Sequence, residues 1–174
     1  MGRMSHAQAP QSFGRVDDDG TVYVRTSDGE RSVGQVPDST SEEALEFFVR
    51  RYRALETEVS LLESRVSSGT ASPEEARSAA SKLVTSIHEA NAVGDLESLA
   101  ARVEALTPTI DAKAETRREE RAEAKARAKQ AKEEMVAQAE AIAAGSDWRG
   151  GIGKFRDLLD QWRRLPPVSY THLR

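Results

Sequence analysis

The sequence has no cysteine, few aromatic residues and no long apolar run. The absence of cysteine excludes disulfides, thiolate catalysis and cysteine-ligated zinc, and it suits a reducing compartment. A membrane span needs about 18 consecutive apolar residues, which no window provides, and the opening MGRMSHAQAP lacks the apolar segment of a signal peptide. We therefore expect a cytoplasmic protein with no membrane association.

The composition favours narrow helical contacts over a thick core. Hydrophobic residues make up 38% of the chain and charged residues 31%, and many of the apolar residues are alanines, which bury little area. The net charge of −4 hides a gradient, because residues 1–110 carry 11 basic and 18 acidic side chains whereas residues 135–174 carry 6 and 4. We predict a mainly α protein of elongated antiparallel coiled-coil or helical hairpins, with a small amino-terminal β-hairpin or meander.

The amino-terminal residues predict a tail and then a small sheet. Residues 1–12 are polar and expected to be disordered. Residues 13–36 contain runs of valine and tyrosine separated by Asp-Gly turns, which is typical of a β-meander. Val22 and Val24 would share one face, and so small a sheet needs the next helix to pack on. The DDDG sequence at residues 17–20 predicts a turn rather than a calcium loop, because the rest of an EF-hand pattern is missing.

The strongest pattern in the chain is a heptad repeat in the first helix. Thr40 and Glu43 form a capping-box sequence that opens this helix, and Gly69 is a suitable residue to end it. Seven apolar residues alternate at spacings of three and four, which predicts a seam in the core or against a partner. They are Leu45, Phe48, Tyr52, Leu55, Val59, Leu62 and Val66.

Two further helical segments complete a predicted three-helix coiled-coil region over residues 39–110. Ser72 and Pro73 start the second helix, and the short loop before it predicts an antiparallel hairpin with the first. A long helix then starts at Gly94 or Asp95 and would extend toward Gly145.

This long helix contains one proline and changes character part-way. Pro108 either kinks it or splits it into two helices. Residues 111–134 lack large apolar side chains and are rich in Ala, Glu, Lys and Arg, so they predict a charged helical rod that faces solvent or a partner. The alternative is a nucleic-acid surface, although this segment holds seven acidic residues and no aromatic residue to stack on bases. The possible nucleic-acid contacts are Lys125, Arg127, Lys129 and Lys132, with Arg163 and Arg164.

Residues 135–167 predict a second helical hairpin that bears both tryptophans. A new helix after Gly145 carries apolar side chains spaced 4-3-4-3, of which Trp148, Phe155 and Trp162 are the aromatic members. They would pack on the end of the long helix, around Met135, Val136, Ala139 and Ile142. The glycines before Lys154 do not have the spacing of a phosphate-binding P-loop, and a helix rather than a strand precedes them.

The same stretch resembles a bacterial family. EEMVAQAEAIAAGSDWRGGIGKFRDLLDQWRRLPP is similar to the helical repeat of the domain-of-unknown-function 349 family, with matches at Trp148, Phe155, Arg156, Leu158 and Trp162. GRVDDDGTVYVRTSDGERSVGQ and the heptad helix are similar to the actinobacterial type, which extends the resemblance over residues 13–167. The resemblance implies helical repeats and brings no settled biochemical activity with it.

The sequence departs from that family at two places. Gly150, Gly151 and Gly153 replace better helix formers, and Pro166-Pro167 stands where the family continues with further helix. We expect residues 168–174 to be a disordered or non-native tail and the chain to be truncated at its carboxyl terminus.

No pattern in the sequence predicts catalysis. The three histidines are scattered, and we expect no catalytic, cofactor-binding or metal-binding residue and no small-molecule substrate. The sequence predicts a non-enzymatic helical interaction or scaffold protein that self-associates or binds a protein partner. The alternative is an accessory protein that binds RNA or DNA through the basic stretch of the long helix.

Overall fold

The computed structural model describes residues 9–146 and 149–167, and only the backbone of Trp148. The elements are a 3-10 helix Pro10–Phe13, strands β1 Gly14–Val16, β2 Thr21–Thr26 and β3 Gly29–Gln35, and helices α1 Ser41–Ser68, α2 Pro73–Glu89, α3 Leu96–Glu104, α4 Thr107–Ala144 and α5 Trp148–Arg164. The predicted fold class, mainly α with a small amino-terminal sheet, is confirmed. The chain divides into two compact units, Met1–Ala114 and Glu115–Arg174.

The two predicted tails lie almost entirely outside the described residues. Residues 10–12 are the exception, since they belong to the 3-10 helix Pro10–Phe13 where we expected disorder. Among the described helices, none is both long enough and apolar enough to span a membrane.

The sheet is an antiparallel meander in the order β1-β2-β3. Val22 and Val24 share its inner face as predicted and are fully buried against α1, where they contact a cluster that includes Phe48 and Val49. The DDDG sequence forms the β1–β2 turn, in which the Thr21 amide donates to Asp19 Oδ1 over 3.0 Å. The first helix therefore supports the sheet.

The heptad side chains of α1 supply much of the core of the amino-terminal unit. Phe48, Tyr52, Val59, Leu62 and Val66 are buried, and Leu45 and Leu55 are half-buried. From Tyr52 onward they pack with α2 and α3 in one cluster, while Phe48 belongs to the cluster under the sheet. The capping box of Thr40 and Glu43 is present, and Gly69 ends α1 in the left-handed conformation.

The long helix predicted from Asp95 is split. Asp95 caps α3 by accepting from the Ser98 amide, α3 ends at Glu104, and α4 begins at Thr107. Pro108 occupies the first turn of α4, where its missing amide hydrogen costs no intrahelical bond. Of the two possibilities for Pro108, a kink or a split, the structure has the split.

Charged side chains connect α1 to the helices that follow it in the same unit. Arg102 on α3 donates to both carboxylate oxygens of Glu63, over 3.0 and 2.7 Å. This bond from the guanidinium lowers the pKa of the Glu63 carboxyl. Lys113 donates to the carbonyls of Val66 and Ser67 at the end of α1, where a cation also compensates the helix dipole.

Candidate interaction surface

A metal site or a ligand groove would mark a reaction site in the amino-terminal unit. Within the described part of the chain, no three His, Asp or Glu side chains lie close enough together to hold a metal ion. A groove of about 290 Å³ runs between α2, α3 and the start of α4, lined by apolar side chains such as Val84 and Val103, with Arg77 and Glu104 among its polar residues. This volume is at the small end of the range for a ligand site. The residues that line the groove include hydroxyl groups but no histidine.

In the carboxyl-terminal unit, α4 and α5 form an antiparallel pair with a thin seam. Ala128 and Lys132 are buried on α4, and Leu158 and Trp162 are half-buried on α5. At the other end of the seam a Cβ added to Gly151 would lie 3.3 Å from Ile142 Cγ2, which shows how closely α5 approaches α4 there. α5 therefore packs along the end of α4, although Val136, which we expected in this seam, is exposed.

Lys132 lies inside this seam. Its side chain is only 5% exposed, and its ammonium lies 4.9 Å from the centre of the Trp162 ring. The same Nζ donates to the Pro166 carbonyl over 2.8 Å. A cation over an indole face that also donates to a carbonyl is well satisfied without water, so Lys132 does not belong to the solvent-facing cations with which the sequence grouped it.

Four large apolar side chains among the described residues of this unit remain exposed. The exposed fractions are 57% for Ile152, 41% for Phe155 and 48% for Leu159 on α5, and 46% for Val136 on α4. The three α5 residues follow at spacings of three and four, so they form one stripe beside the stripe that faces α4. We call Val136, Ile152, Phe155 and Leu159 the apolar face.

Both helices contribute to the same side of the pair. Val136 follows the half-buried Met135, and Leu159 follows the half-buried Leu158, so each is turned about 100° from the seam in the same rotational sense. Because the two helices run in opposite directions, these equal rotations bring Val136 and Leu159 to one side. The apolar face is therefore continuous across α4 and α5.

Charges of opposite sign border the apolar face. Arg149, Arg156 and Arg163 recur every seven residues along its outer edge on α5, and Glu133 and Glu140 border it on α4. All five side chains are exposed. The surface thus has an apolar centre, a basic edge and an acidic edge.

The other predicted nucleic-acid contacts are exposed but partly neutralised. Arg127 pairs with Glu123 at 3.4 Å, Lys129 with Glu133 at 3.7 Å and Arg163 with Asp160 at 3.8 Å. Lys125 and Arg164 are also exposed, and neither forms an ion pair in the part of the chain that the structure describes.

The predicted α1 seam packs within the chain. Its seven apolar residues are buried or half-buried, whereas the neighbouring Phe47 is 41% exposed and lies under the Arg51 guanidinium at 4.9 Å. The side chain of Trp148 lies outside the described residues. Of the predicted aromatic seam of α5, Trp162 faces α4 and Phe155 belongs to the apolar face.

One signal in the sequence points to the exposed face. Apolar residues on α5 fill two adjacent stripes, one through Leu158 and Trp162 and the other through Ile152 and Leu159. A helix packed on one neighbour needs only one such stripe. The second stripe is therefore more apolar surface than packing on one helix requires. It is visible in the sequence, although we assigned the apolar residues of both stripes to a single seam.

Part of the chain, including α4 and α5, matches a known protein family. Residues 98–171 match the model described as Domain of Unknown Function (DUF349). This part of the chain belongs to the DUF349 family. The match confirms the resemblance drawn from Trp148, Phe155 and Trp162, and the matched residues include α4 and α5. The similarity to the actinobacterial type stays a prediction. Comparisons with curated proteins and with solved structures gave no match.

Proposed function

We propose that this DUF349 protein is a non-enzymatic helical interaction protein whose contact surface is the apolar face of α4 and α5. The observation that carries the proposal is the exposure of Val136, Ile152, Phe155 and Leu159 on one side of a helical pair. Contiguous apolar surface bordered by polar residues is typical of a protein contact site.

The thinness of the α4–α5 seam supports the same proposal. In this unit the described seam buries mainly alanine, glycine and the stem of Lys132, while larger apolar side chains remain in water. Covering apolar surface contributes roughly 25 cal/mol per Å², so a helix placed on this face would add stability that the pair lacks alone. Among the described residues, the other exposed large apolar side chains, Phe47 and Leu61, are on α1 in the other unit.

Site-specific photo-crosslinking tests the proposal. The full chain would be expressed in its source cells with p-benzoylphenylalanine in place of Phe155, irradiated and analysed for adducts of discrete mass. Ala137, exposed on the opposite side of α4, is the matched control position. We expect adducts from position 155 and none from position 137. Equal labelling at both positions, or none at either, would contradict the proposal.

A second candidate function is RNA or DNA binding through α4 and the end of α5. The observation that favours it is that Lys125 and Arg164 are exposed and form no ion pair within the described residues. Lys132 donates to Pro166 near the last turn of α5, so Arg163 and Arg164 extend the basic stretch of α4. Phosphate binding through such cations depends steeply on salt.

Replacing Lys125, Arg127 and Lys129 with Gln tests this candidate. We expect the triple variant to bind a nucleic acid more weakly and to reduce the slope of log affinity against log salt by about one for each phosphate that it no longer binds. Replacing Arg50, Arg53 and Arg65 on α1, three exposed arginines of the other unit, is the control. Failure of the unaltered chain to retain RNA or DNA at low salt would eliminate this candidate.

A further inference from the structure

The edges of the apolar face are complementary to each other. The basic edge of α5 contains Arg156 and Arg163, and the acidic edge of α4 contains Glu133 and Glu140. Arg156 and Glu140 form no ion pair in the described part of the chain, whereas Glu133 and Arg163 are paired only within their own helices. A surface with one basic and one acidic edge fits a partner with the same two edges in reversed order.

A second copy of the same helical pair, related to the first by a two-fold axis parallel to the helices, would present its edges in that order. It would place α5 of each copy against α4 of the other, running antiparallel, with the apolar faces in the middle. Such an interface is isologous, because every contact occurs twice. Helices in pairs of hairpins commonly pack in this way as a four-helix bundle.

The heights of the charges along the helices agree with this arrangement. Gly151 lies beside Ile142, and Trp162 beside Lys132. Counting from the two contacts, Arg156 lies level with residues 137–138 and Arg163 level with residues 130–131. Rotation about an axis parallel to the helices leaves these heights unchanged.

Each arginine then meets a glutamate of the second copy at the same offset. Glu140 and Glu133 are each two to three residues beyond the level of Arg156 and Arg163, which corresponds to about 3–4.5 Å along the axis. Arginine side chains easily cover this distance. By the same count, Leu159 lies about 1.5–3 Å in height from Val136 of the second copy.

From this match we propose that the apolar face binds a second copy of the chain, through a two-fold axis parallel to α4 and α5, with Arg156 opposite Glu140 and Arg163 opposite Glu133. The inference rests on the proposed function, since it names the partner of the same face. Four half-exposed apolar side chains per copy make a small interface, for which we expect a dissociation constant on the order of 10–100 µM.

Charge exchange between Arg156 and Glu140 tests the pairing in the full chain. Arg156→Glu alone puts two glutamates opposite each other at both symmetric positions, and Glu140→Arg alone puts two arginines there. We expect each single variant to dimerise at least about tenfold more weakly than the unaltered chain in sedimentation velocity. Both positions are exposed, and circular dichroism confirms that each variant retains its helices.

An equimolar mixture of the two variants provides the decisive measurement. In the mixed dimer the glutamate introduced at position 156 of one copy faces the arginine introduced at position 140 of the other. The symmetric position pairs the unaltered Arg156 with the unaltered Glu140, so we expect mixing to restore association. The double variant R156E/E140R should likewise dimerise by itself. A mixture that stays monomeric while the unaltered chain dimerises would overturn the proposed pairing, and so would single variants that dimerise like the unaltered chain.

The failure of this inference is distinguishable from the failure of the proposed function. If the unaltered chain is monomeric at concentrations of several hundred micromolar, about tenfold above the expected constant, the second copy is excluded as the partner. Adducts from position 155 to a protein of another mass would then still support an interaction surface. The absence of both results would remove both proposals.

Discussion

At the scale of single residues, the most informative positions are those where one neighbouring side chain determines which residue fits. Gly34 in β3 has φ of +146°, a conformation that side chains rarely adopt. A Cβ there would lie 2.8 Å from Phe48 Cζ. The close approach of β3 to the Phe48 ring, and with it the packing of the sheet on α1, therefore depends on glycine.

We predict that Gly34→Ala lowers the free energy of unfolding by about 2–3 kcal/mol, through backbone strain and overlap with Phe48. Gly29→Ala is the matched control, because Gly29 also has a positive φ of +121° but has no atom within 4 Å of its added Cβ. We expect about 1 kcal/mol for the control. Urea unfolding followed by circular dichroism measures both. Equal losses of stability would show that Phe48 contributes nothing to the need for glycine.

Lys132 gives a second prediction at this scale. Lys132→Met keeps the apolar stem but removes the ammonium from the Trp162 ring and from the Pro166 carbonyl, so we expect a loss of about 1–2 kcal/mol. Lys129→Met is the control, since Lys129 is 62% exposed and its surface ion pair contributes little. The two tryptophans, both in α5, report unfolding of this unit by fluorescence. If Lys132→Met is as stable as Lys129→Met, the ammonium of Lys132 does not stabilise the α4–α5 pair.

At the scale of elements, local sequence rules predicted the starts and ends of helices well. The Thr40–Glu43 capping box and the Gly69 cap depend on residues within one turn, and both are present. Pro108 is compatible with an interior kink or with the first turn of a new helix, so the sequence left that choice open. The choice depends on how the residues around Ile110 pack against α1 and α2, which is a tertiary property.

The sequence did not predict which side chains pack between helices. Lys132 is surrounded in sequence by charged residues and therefore looked solvated, but Trp162, thirty residues later, covers it. Similarly, the spacing of Phe155 indicated a seam, yet the seam is formed by the neighbouring stripe of α5. Periodicity defines which residues share a face, and only the packing of a second helix decides which face is covered.

The ion pair of Arg102 with Glu63 gives a pH dependence at the scale of elements. The bond from Arg102 lowers the pKa of Glu63 from its ordinary value of 4.5. A carboxyl whose pKa is lowered by folding stabilises the fold fully above that ordinary value, and this contribution is lost as pH falls through the lowered value.

We therefore predict that Arg102→Met destabilises the chain at pH 7 by about 0.5 kcal/mol, a small effect because water screens the partly exposed pair. The difference from the unaltered chain should shrink as the pH falls below 4.5. Arg77→Met is the control, since Arg77 pairs with Asp111 at a more exposed site. Chemical unfolding at a series of pH values measures both. A difference that grows on acidification would contradict the assignment.

At the scale of the whole molecule, the two units differ in how much of their apolar surface they use. In the amino-terminal unit, α1 supplies side chains to the cluster under the sheet and to the cluster with α2 and α3. In the carboxyl-terminal unit, α5 covers α4 with one stripe and leaves another in water. This difference is the reason why we propose the second unit, and not the first, as the one that contacts a partner.

The absence of cysteine makes the direct test of that assignment simple. Leu159→Cys creates a single labelling site on the apolar face, and Ala137→Cys creates one on the opposite side of α4. Each variant of the full chain would carry an environment-sensitive fluorophore and be titrated with unlabelled, unaltered chain. We predict a saturable blue shift at position 159 and no shift at position 137. Equal shifts at the two positions, or no shift at position 159 at any concentration, would contradict the claim that this face binds a second copy.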